Sequence, residues 1–352
     1  MNIVSRGLDR TQGALIKSPA NRRYLSGFYS SSGILFITGD SKSYLLVDSR
    51  YYENAKKQAL GCEVILLDDF QTQFNEIIAR HKINRISVEN RKMTIRELNE
   101  LVTDFPHVKF ISDGWLSETL IKHRLIKSDD EIKKMIAAQR IAEKAFNKLT
   151  QKLHEGMTEK QAAGLLNYYM LGLGSQDVSF PTIVASGKNA SVAHSAPTDK
   201  PLKKGELIIF DFGAVCDGYH SDMSRTVCVG KPSDKQKEVY NAVLSANNDA
   251  MKAVREDITG KVIDNIARST LEAWGYNEFF KHGVGHGVGL EVHEPPSLSP
   301  KGEHTLKAGM VVTIEPGVYI PGAFGVRIED MVAVTENGCI NLTKTPKSLI
   351  II

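Results

Sequence analysis

The sequence predicts a mixed α/β (α+β) protein in two domains, a small amino-terminal α/β domain over residues 1–125 and a larger domain over 126–352 made of two similar halves. Three observations predict it. Apolar strand-like runs alternate with polar helical stretches through the first third of the chain. Helix-capping signals introduce a long and then a shorter helix, and the same order returns later. Acidic residues in apolar surroundings also recur at a near-constant offset. At 352 residues there is room for two hydrophobic cores.

In the first domain, Gly33 to Thr38 and Ser43 to Val47 flank Gly39-Asp40-Ser41-Lys42, a hairpin signal. Val64 to Leu67, Arg85 to Val88 and Val108 to Ile111 read as further strands. Helical stretches fall at Ser49 to Leu60, Phe70 to Lys82 and Thr94 to Phe105. A long helix then opens at Ser128-Asp129-Asp130-Glu131, where Ser and Glu satisfy each other's backbone N–H groups in a capping box. Ile132, Met135, Ile136, Ala142, Phe146, Leu149 and Leu153 follow at helical spacing and read as core packing. Thr158-Glu159-Lys160-Gln161 caps a second helix that Gly172 and Gly174 end. The plan repeats after Pro232 with Ser233-Asp234 before a long helix, and Thr259-Gly260 before a shorter one ending near Gly275. Thr158 and Thr259 are 101 positions apart, Asp211 and Glu315 are 104 apart, and Asp222 and Glu329 are 107 apart. Such offsets predict two half-domains related by a pseudo-twofold axis.

Composition excludes several classes. A net charge of +3 with dispersed Lys and Arg gives no nucleic-acid footprint. The start Met-Asn-Ile-Val-Ser-Arg lacks a signal peptide's apolar core, and no apolar run is long enough to span a bilayer, so no membrane partner is expected. Cys62, Cys216, Cys228 and Cys339 form no C-x-x-C pair. The expectation is a cytoplasmic protein with buried, reduced thiols.

Asp211, Asp222, His286, Glu315 and Glu329 carry the functional signal. The four carboxylates have strand-like apolar neighbours: Ile208-Ile209-Phe210, Val311-Val312-Thr313-Ile314, and Val326 to Val334. A buried unpaired charge costs several kcal/mol, so carboxylates in such surroundings need partners. A single one would be a salt bridge or a strand edge; four with a histidine point to a pair of divalent cations. Asp211 and Asp222 stand 11 residues apart around Cys216-Asp217-Gly218, a turn signal. In a hairpin with an even-numbered loop this odd spacing puts both side chains on one face, opposite or diagonal to each other. In the last strand, Arg327 and Glu329 share a face by the two-residue period. Arg327 thereby reads as a clamp on a ligating carboxylate or a substrate group. His282, His286 and His293 sit among four glycines between 282 and 293, where backbone can approach a ligand closely. Oxygen-rich ligation with one imidazole suits two Mn²⁺ or Co²⁺ ions, with Zn²⁺ or Fe²⁺ compatible.

These residues resemble the metallopeptidase family with the pita-bread fold, which contains aminopeptidase P, prolidase and methionine aminopeptidase. The likeness spans nearly the whole chain and is strongest at Phe180 to Gly187, Ile209 to Thr226, His282 to Glu294 and Thr313 to Asp330. Asn21 to Phe28 and Asp48 to Tyr51 resemble the creatinase-like amino-terminal domain of the proline-specific branch. The resemblance therefore implies short Xaa-Pro peptides as substrates. It implies that Asp222 is the bidentate ligand of one metal, that His286 and Glu315 hold the other, and that Asp211 and Glu329 bridge. The metal pair would activate a water for attack on the peptide carbonyl. Glu315 would shuttle the proton to the leaving proline nitrogen, His194 and His293 would contact substrate and the developing oxyanion, and His282 would line the proline pocket. A homodimer is implied by the same likeness. One departure is Ser195-Ala196 after His194, where many relatives have Gly.

Within the branch, aminopeptidase P releases the first residue of a longer peptide, whereas prolidase cleaves a dipeptide and needs a cation for the proline carboxylate. Arg327 is available for that charge, but Glu294-Pro295-Pro296-Ser297-Leu298-Ser299 offers no basic group. Aminopeptidase P is the first reading and Xaa-Pro dipeptidase the alternative. A metal-free creatinase-type C–N hydrolase and a non-catalytic peptide-binding module both fit less well, because the whole carboxylate set is retained.

Overall fold

The computed structural model describes residues 3–352, which form two compact units divided between Arg124 and Leu125. In the first unit the elements run β1 (Gln12–Ile16), α1 (Pro19–Ser26), β2 (Ile34–Thr38), β3 (Ser43–Val47), α2 (Ser49–Gln58), β4 (Glu63–Leu66), α3 (Phe70–Arg80), β5 (Arg85–Val88), α4 (Ile95–Asp104), β6 (Lys109–Ile111) and α5 (Trp115–Leu125). They build one six-stranded mixed sheet in the order β4-β3-β2-β1-β5-β6. The alternation of side chains along β2 splits two cores. Phe36 joins Phe74, Ile78 and Phe105 on one face, while Leu35 and Ile37 join Ala55, Leu116 and Leu120 on the other. Each such fully buried Leu, Ile or Phe side chain contributes about 1.5 to 3 kcal/mol of transfer free energy.

The predicted hairpin, strands and helices of this unit are present, with ends within two residues of expectation. Three elements were not predicted: β1, α1 and α5. For α1 the signals stand in the chain: Ser18 caps Asn21 N, Pro19 occupies the first helical position, and Gly27 closes it at φ 70°. The buried thiol expectation holds only for Cys228; Cys62, Cys216 and Cys339 are partly exposed, and all four are free.

The second unit continues with α6 (Asp129–Thr150), α7 (Glu159–Gly172), β7 (Ile183–Ser186), β8 (Leu207–Phe212), β9 (Val215–Cys216), β10 (Tyr219–His220) and β11 (Met223–Cys228). Then come α8 (Asp234–Ala253), α9 (Gly260–Ala273), β12 (Gly285–Gly287), β13 (Glu294–Leu298), β14 (Val311–Ile314), β15 (Gly317–Ile320), β16 (Phe324–Arg327), β17 (Asp330–Thr335), β18 (Gly338–Asn341) and β19 (Ile350–Ile351). Capping boxes open α6, α7 and α8, whereas Thr259 makes no side-chain cap for α9.

Two separate cores reproduce the repeat. Helices α6 and α7 pack on β8 and β11 through Ile208, Phe210, Phe212, Met223 and Val227. Helices α8 and α9 pack on β14 and β17 through Val312, Ile314, Val332 and Val334. In each sheet the alternate positions therefore face away from the helices; Asp211 occupies one of them in β8, while Asp222, Glu315 and Glu329 adjoin the ends of β11, β14 and β17.

The structure corrects one local expectation. Arg327 and Glu329 do not lie in a single strand, because β16 ends at Arg327 and β17 begins at Asp330. At the break Glu329 N donates to Ser224 O at 3.1 Å, turning its backbone toward the other half. The carbonyls freed there are satisfied from outside the sheet. Asn247 Nδ2 donates to Ile314 O and Ile328 O, and Arg225 donates to Glu329 O.

Candidate metal centre

The first carboxylate pair is placed by a hairpin in continuous register. Asp211 pairs with Ser224, Phe212 with Met223, and Cys216 with Tyr219. The loop is two residues, Asp217-Gly218, both at positive φ (48° and 75°), as a type I′ turn requires. An even loop leaves Asp211 and Asp222 diagonal on one face, opposite the face that packs on α6 and α7. In the other half, Ile314 pairs with Asp330 as the last rung of the β14–β17 ladder, so Glu315 and Glu329 flank the next position.

His286 enters on β12 between two glycines. A Cβ at Gly285 would stand 2.0 Å from Thr313 O, and one at Gly287 2.2 Å from Pro295 O, so only glycine lets this strand lie between its neighbours. The imidazole is oriented by Nδ1 donating to Gly287 O at 3.0 Å, which leaves the Nε2 lone pair directed at the carboxylates. Nε2 is 3.4 Å from Glu315 Oε1 and 3.6 Å from Asp222 Oδ2. Ligand atoms of Asp222, His286 and Glu329 all lie within 4.8 Å of one another.

Four carboxylates thus meet one guanidinium. Burial first, and then repulsion from Glu329, Asp211 and Glu315, raises Asp222 well above the usual carboxylate range. Glu329 is raised by burial and by Glu315 and Asp211. Burial pushes Glu315 up to about 8 against the opposing pull of Arg327, with Asp211 adding to the rise. Burial also lowers His286 to about 4, so its imidazole is neutral and ligand-competent at neutral pH. All five residues line a cavity of about 380 Å³ together with His194, His282, His293 and Arg327.

Comparison with known proteins places this geometry. The model of metallopeptidase family M24 matches residues 133–336, and that of the creatinase/prolidase N-terminal domain matches residues 8–120. The chain belongs to metallopeptidase family M24. It is 41% identical to an uncharacterized peptidase of Bacillus subtilis, covering 97% of this chain and 96% of that one. It is 38% identical to a Xaa-Pro dipeptidase of Pyrococcus horikoshii, covering 96% and 93%. Among solved structures, an X-Pro aminopeptidase from Thermotoga maritima superposes with a TM-score of 0.92 at 36% identity, covering 99% of this chain and 100% of that one. A creatinase-type domain followed by a pita-bread domain is therefore the architecture of this M24 peptidase.

Membership of the family implies divalent metal ions, and the residues present fit them. Carboxylate oxygens outnumber the local cations, and Asp211 Oδ1 is buried with no hydrogen-bond partner. Divalent cations would supply the missing positive charge to these carboxylates.

The remaining predicted residues take distinct places in this M24 site. Arg327, 2% exposed, donates Nε–H to Ser224 Oγ, and its two terminal nitrogens donate to Asp211 Oδ2 (2.6 Å), Tyr319 Oη (2.8 Å) and Ala193 O (3.0 Å). Four of its five N–H groups go to internal acceptors, the Asp211 carboxylate among them. His282 donates Nδ1–H to Gly283 O and receives the Tyr319 hydroxyl at Nε2, leaving its ring as a wall of the cavity. Burial lowers it to about 4, consistent with a neutral ring. His293 lies edge-on to His286 with ring centroids 4.3 Å apart. His194 is exposed on the rim.

Two residues escaped the sequence reading. Ser224 donates to Glu329 Oε2 at 2.8 Å while accepting from Arg327, and its position two after Asp222 on one strand face was a usable signal. Tyr319 joins Arg327 to His282, and nothing in the sequence pattern announced it.

Proposed function

We propose that this M24 peptidase hydrolyses the Xaa-Pro bond of short peptides at a dinuclear centre, acting as an aminopeptidase P. The carrying observation is the convergence of Asp211, Asp222, Glu315, Glu329 and the His286 Nε2 lone pair on one cavity. In this reading Asp211, Asp222, His286, Glu315 and Glu329 would together hold the two ions. Mn²⁺ or Co²⁺ suits a set of four carboxylates and one imidazole, with Zn²⁺ or Fe²⁺ accommodated. Bound ions supply a water of lowered pKa and polarise the scissile carbonyl. The chain's own residues do the rest. Glu315 carries the proton toward the proline nitrogen. His194 and His293 present imidazoles to the substrate and to the charge developing on its carbonyl oxygen. The His282 ring walls the proline side, and Arg327 holds Asp211 in place.

The Xaa-Pro specificity is supported by the relatives, which include both an X-Pro aminopeptidase and a Xaa-Pro dipeptidase. The aminopeptidase reading over the dipeptidase alternative is supported by the cavity wall. Among the described residues lining it, Arg327 is the only Lys or Arg, and its donors are largely committed. Among the described side chains, a free proline carboxylate would meet only this largely committed guanidinium as a Lys or Arg partner there. Ser297 and Ser299 line the same wall and offer hydroxyls suited to the peptide groups of a longer chain.

The test is turnover of Leu-Pro and Gly-Pro against Gly-Pro-Hyp and Arg-Pro-Pro with Mn²⁺. The tripeptides are expected to show the higher kcat/KM. Dipeptides winning by a large margin would transfer the assignment to dipeptidase, and no hydrolysis of either would leave only peptide binding. By the same family likeness this reading includes a homodimer in the cytoplasm, and sedimentation of the metal-loaded protein decides the first.

A further inference from the structure

Among the buried carboxylates that the proposed reaction leaves unused, Glu159 collects its donors from the loop that carries His194. Glu159 is the first residue of α7 and is 0% exposed. Its side chain does not cap its own helix. Oε1 accepts from Ser186 N (2.7 Å) and Ser186 Oγ (2.7 Å), and Oε2 accepts from Thr198 N (3.0 Å) and Thr198 Oγ1 (2.6 Å). Asn189 Nδ2 reaches both oxygens, at 3.2 and 3.1 Å. A buried charge of this kind is tolerated because several donors converge on it and because it sits at a helix N-terminus.

The donors come from the two ends of one loop, and that loop carries His194. Between the ends, the segment is held from the other side. Arg327 donates to Ala193 O at 3.0 Å, and a Cβ at Gly325 would stand 1.9 Å from Ala190 O, so β16 lies directly against the loop backbone. His194 itself is exposed and lines the cavity. An exposed imidazole cannot be fixed by packing of its own ring; its position is set by the backbone that bears it.

We infer that Glu159 is a positioning residue for catalysis: it ties Ser186 to Thr198 and so sets where the His194 imidazole stands over the metal centre. The inference rests on the proposed role of His194 as a substrate contact. Glutamine at this position keeps the shape but turns an NH₂ group toward donors, which breaks the tie at one end of the loop. Asp264 serves the other half similarly, accepting from Val284 N and Arg268 beside the His282–His286 segment, so anchoring of a histidine-bearing segment by a buried carboxylate occurs in both halves.

The experiment is a double-mutant cycle on the Mn²⁺-loaded full-length protein with a Xaa-Pro tripeptide, using Glu159→Gln, His194→Ala and the pair. Displacing a substrate-contacting group by a fraction of an ångström to an ångström predicts a fall of about tenfold in kcat/KM for Glu159→Gln. In the His194→Ala background the same change is expected to cost less than about twofold, because the group it positions is gone. Amide exchange should quicken between 187 and 197 and stay unchanged in β8 and β14. Should Glu159→Gln fail to fold, Thr198→Val removes one hydroxyl donor and carries the same cycle with a smaller effect. Additive losses with His194→Ala impaired would overturn the inference alone. Unchanged turnover in His194→Ala would overturn the role of His194 and this inference with it.

Discussion

The repulsion among the four carboxylates makes a sharp prediction for Asp222→Asn in the metal-free protein. Ligand oxygens of Asp222 and Glu329 lie within 4.8 Å. Two unit charges at that distance repel by about 3 kcal/mol at an effective dielectric constant near 20, an upper figure because protonation relieves it. The sign comes from linkage. Asp222 and Glu329 are raised well above their ordinary values and Glu315 to about 8, so the native state holds protons that the unfolded chain has released. Stability of the metal-free wild type therefore falls as pH rises from the unfolded carboxylate range toward 8. Asn at 222 removes one charge from the cluster, so with chelator at pH 8 the variant is expected to unfold later than wild type. For a unit the size of residues 125–352, 3 kcal/mol corresponds to at most about 6 to 12 °C in Tm. Near pH 4 the difference should vanish, since Asp222 is then protonated in the native state. With Mn²⁺ the order inverts, because only wild type gains the free energy of a complete site. Differential scanning calorimetry with and without chelator at the two pH values reads all of this, and peptide hydrolysis by the variant should drop by more than about a hundredfold. A metal-free variant less stable than wild type at pH 8 would refute the shared buried cluster.

Two other outcomes are expected from the same geometry. Arg327→Lys retains the charge but has three donors on one nitrogen where four internal acceptors now bind, and breaking a buried pair of this kind costs about 3 to 5 kcal/mol; calorimetric titration should show weaker Mn²⁺ binding, and wild-type affinity would rule out the clamp on Asp211. Gly285→Ala places a methyl against Thr313 O and must push β12 from β14, so stability should fall by about 1 to 3 kcal/mol with loss of the His286 contribution to metal affinity, whereas an unchanged Tm and affinity would contradict the tight strand spacing.

Local patterns in the chain are sufficient for much of this protein. Ser128, Thr158 and Ser233 announce their helices because a capping box is satisfied within four residues. The odd spacing of Asp211 and Asp222 around Asp217-Gly218 places them on a common face because strand alternation and turn length are local rules. The short helix at Pro19 is marked only by Ser18, Pro19 and Gly27, with no long apolar stripe to draw attention to it. The break after Arg327 is hidden from the sequence, since Val326 to Val334 keeps an apolar residue at almost every second position and reads as one strand.

Only the tertiary structure decided that break and its consequences. Glu329 leaves the ladder because Ser224, Arg225 and Asn247, each at least 80 positions away, satisfy its backbone and that of Ile328. Long-range hydrogen bonds likewise bring Arg327 to Asp211 and Ala193, while the β15–β16 hairpin brings it to Tyr319. Residue type and spacing set which groups can ligate metal, because ligation depends on donor chemistry and on which face of a strand a side chain occupies. Which cation stays available, and what holds an exposed histidine over the centre, depends on hydrogen bonds between distant segments, and those exist only once the two halves have folded together.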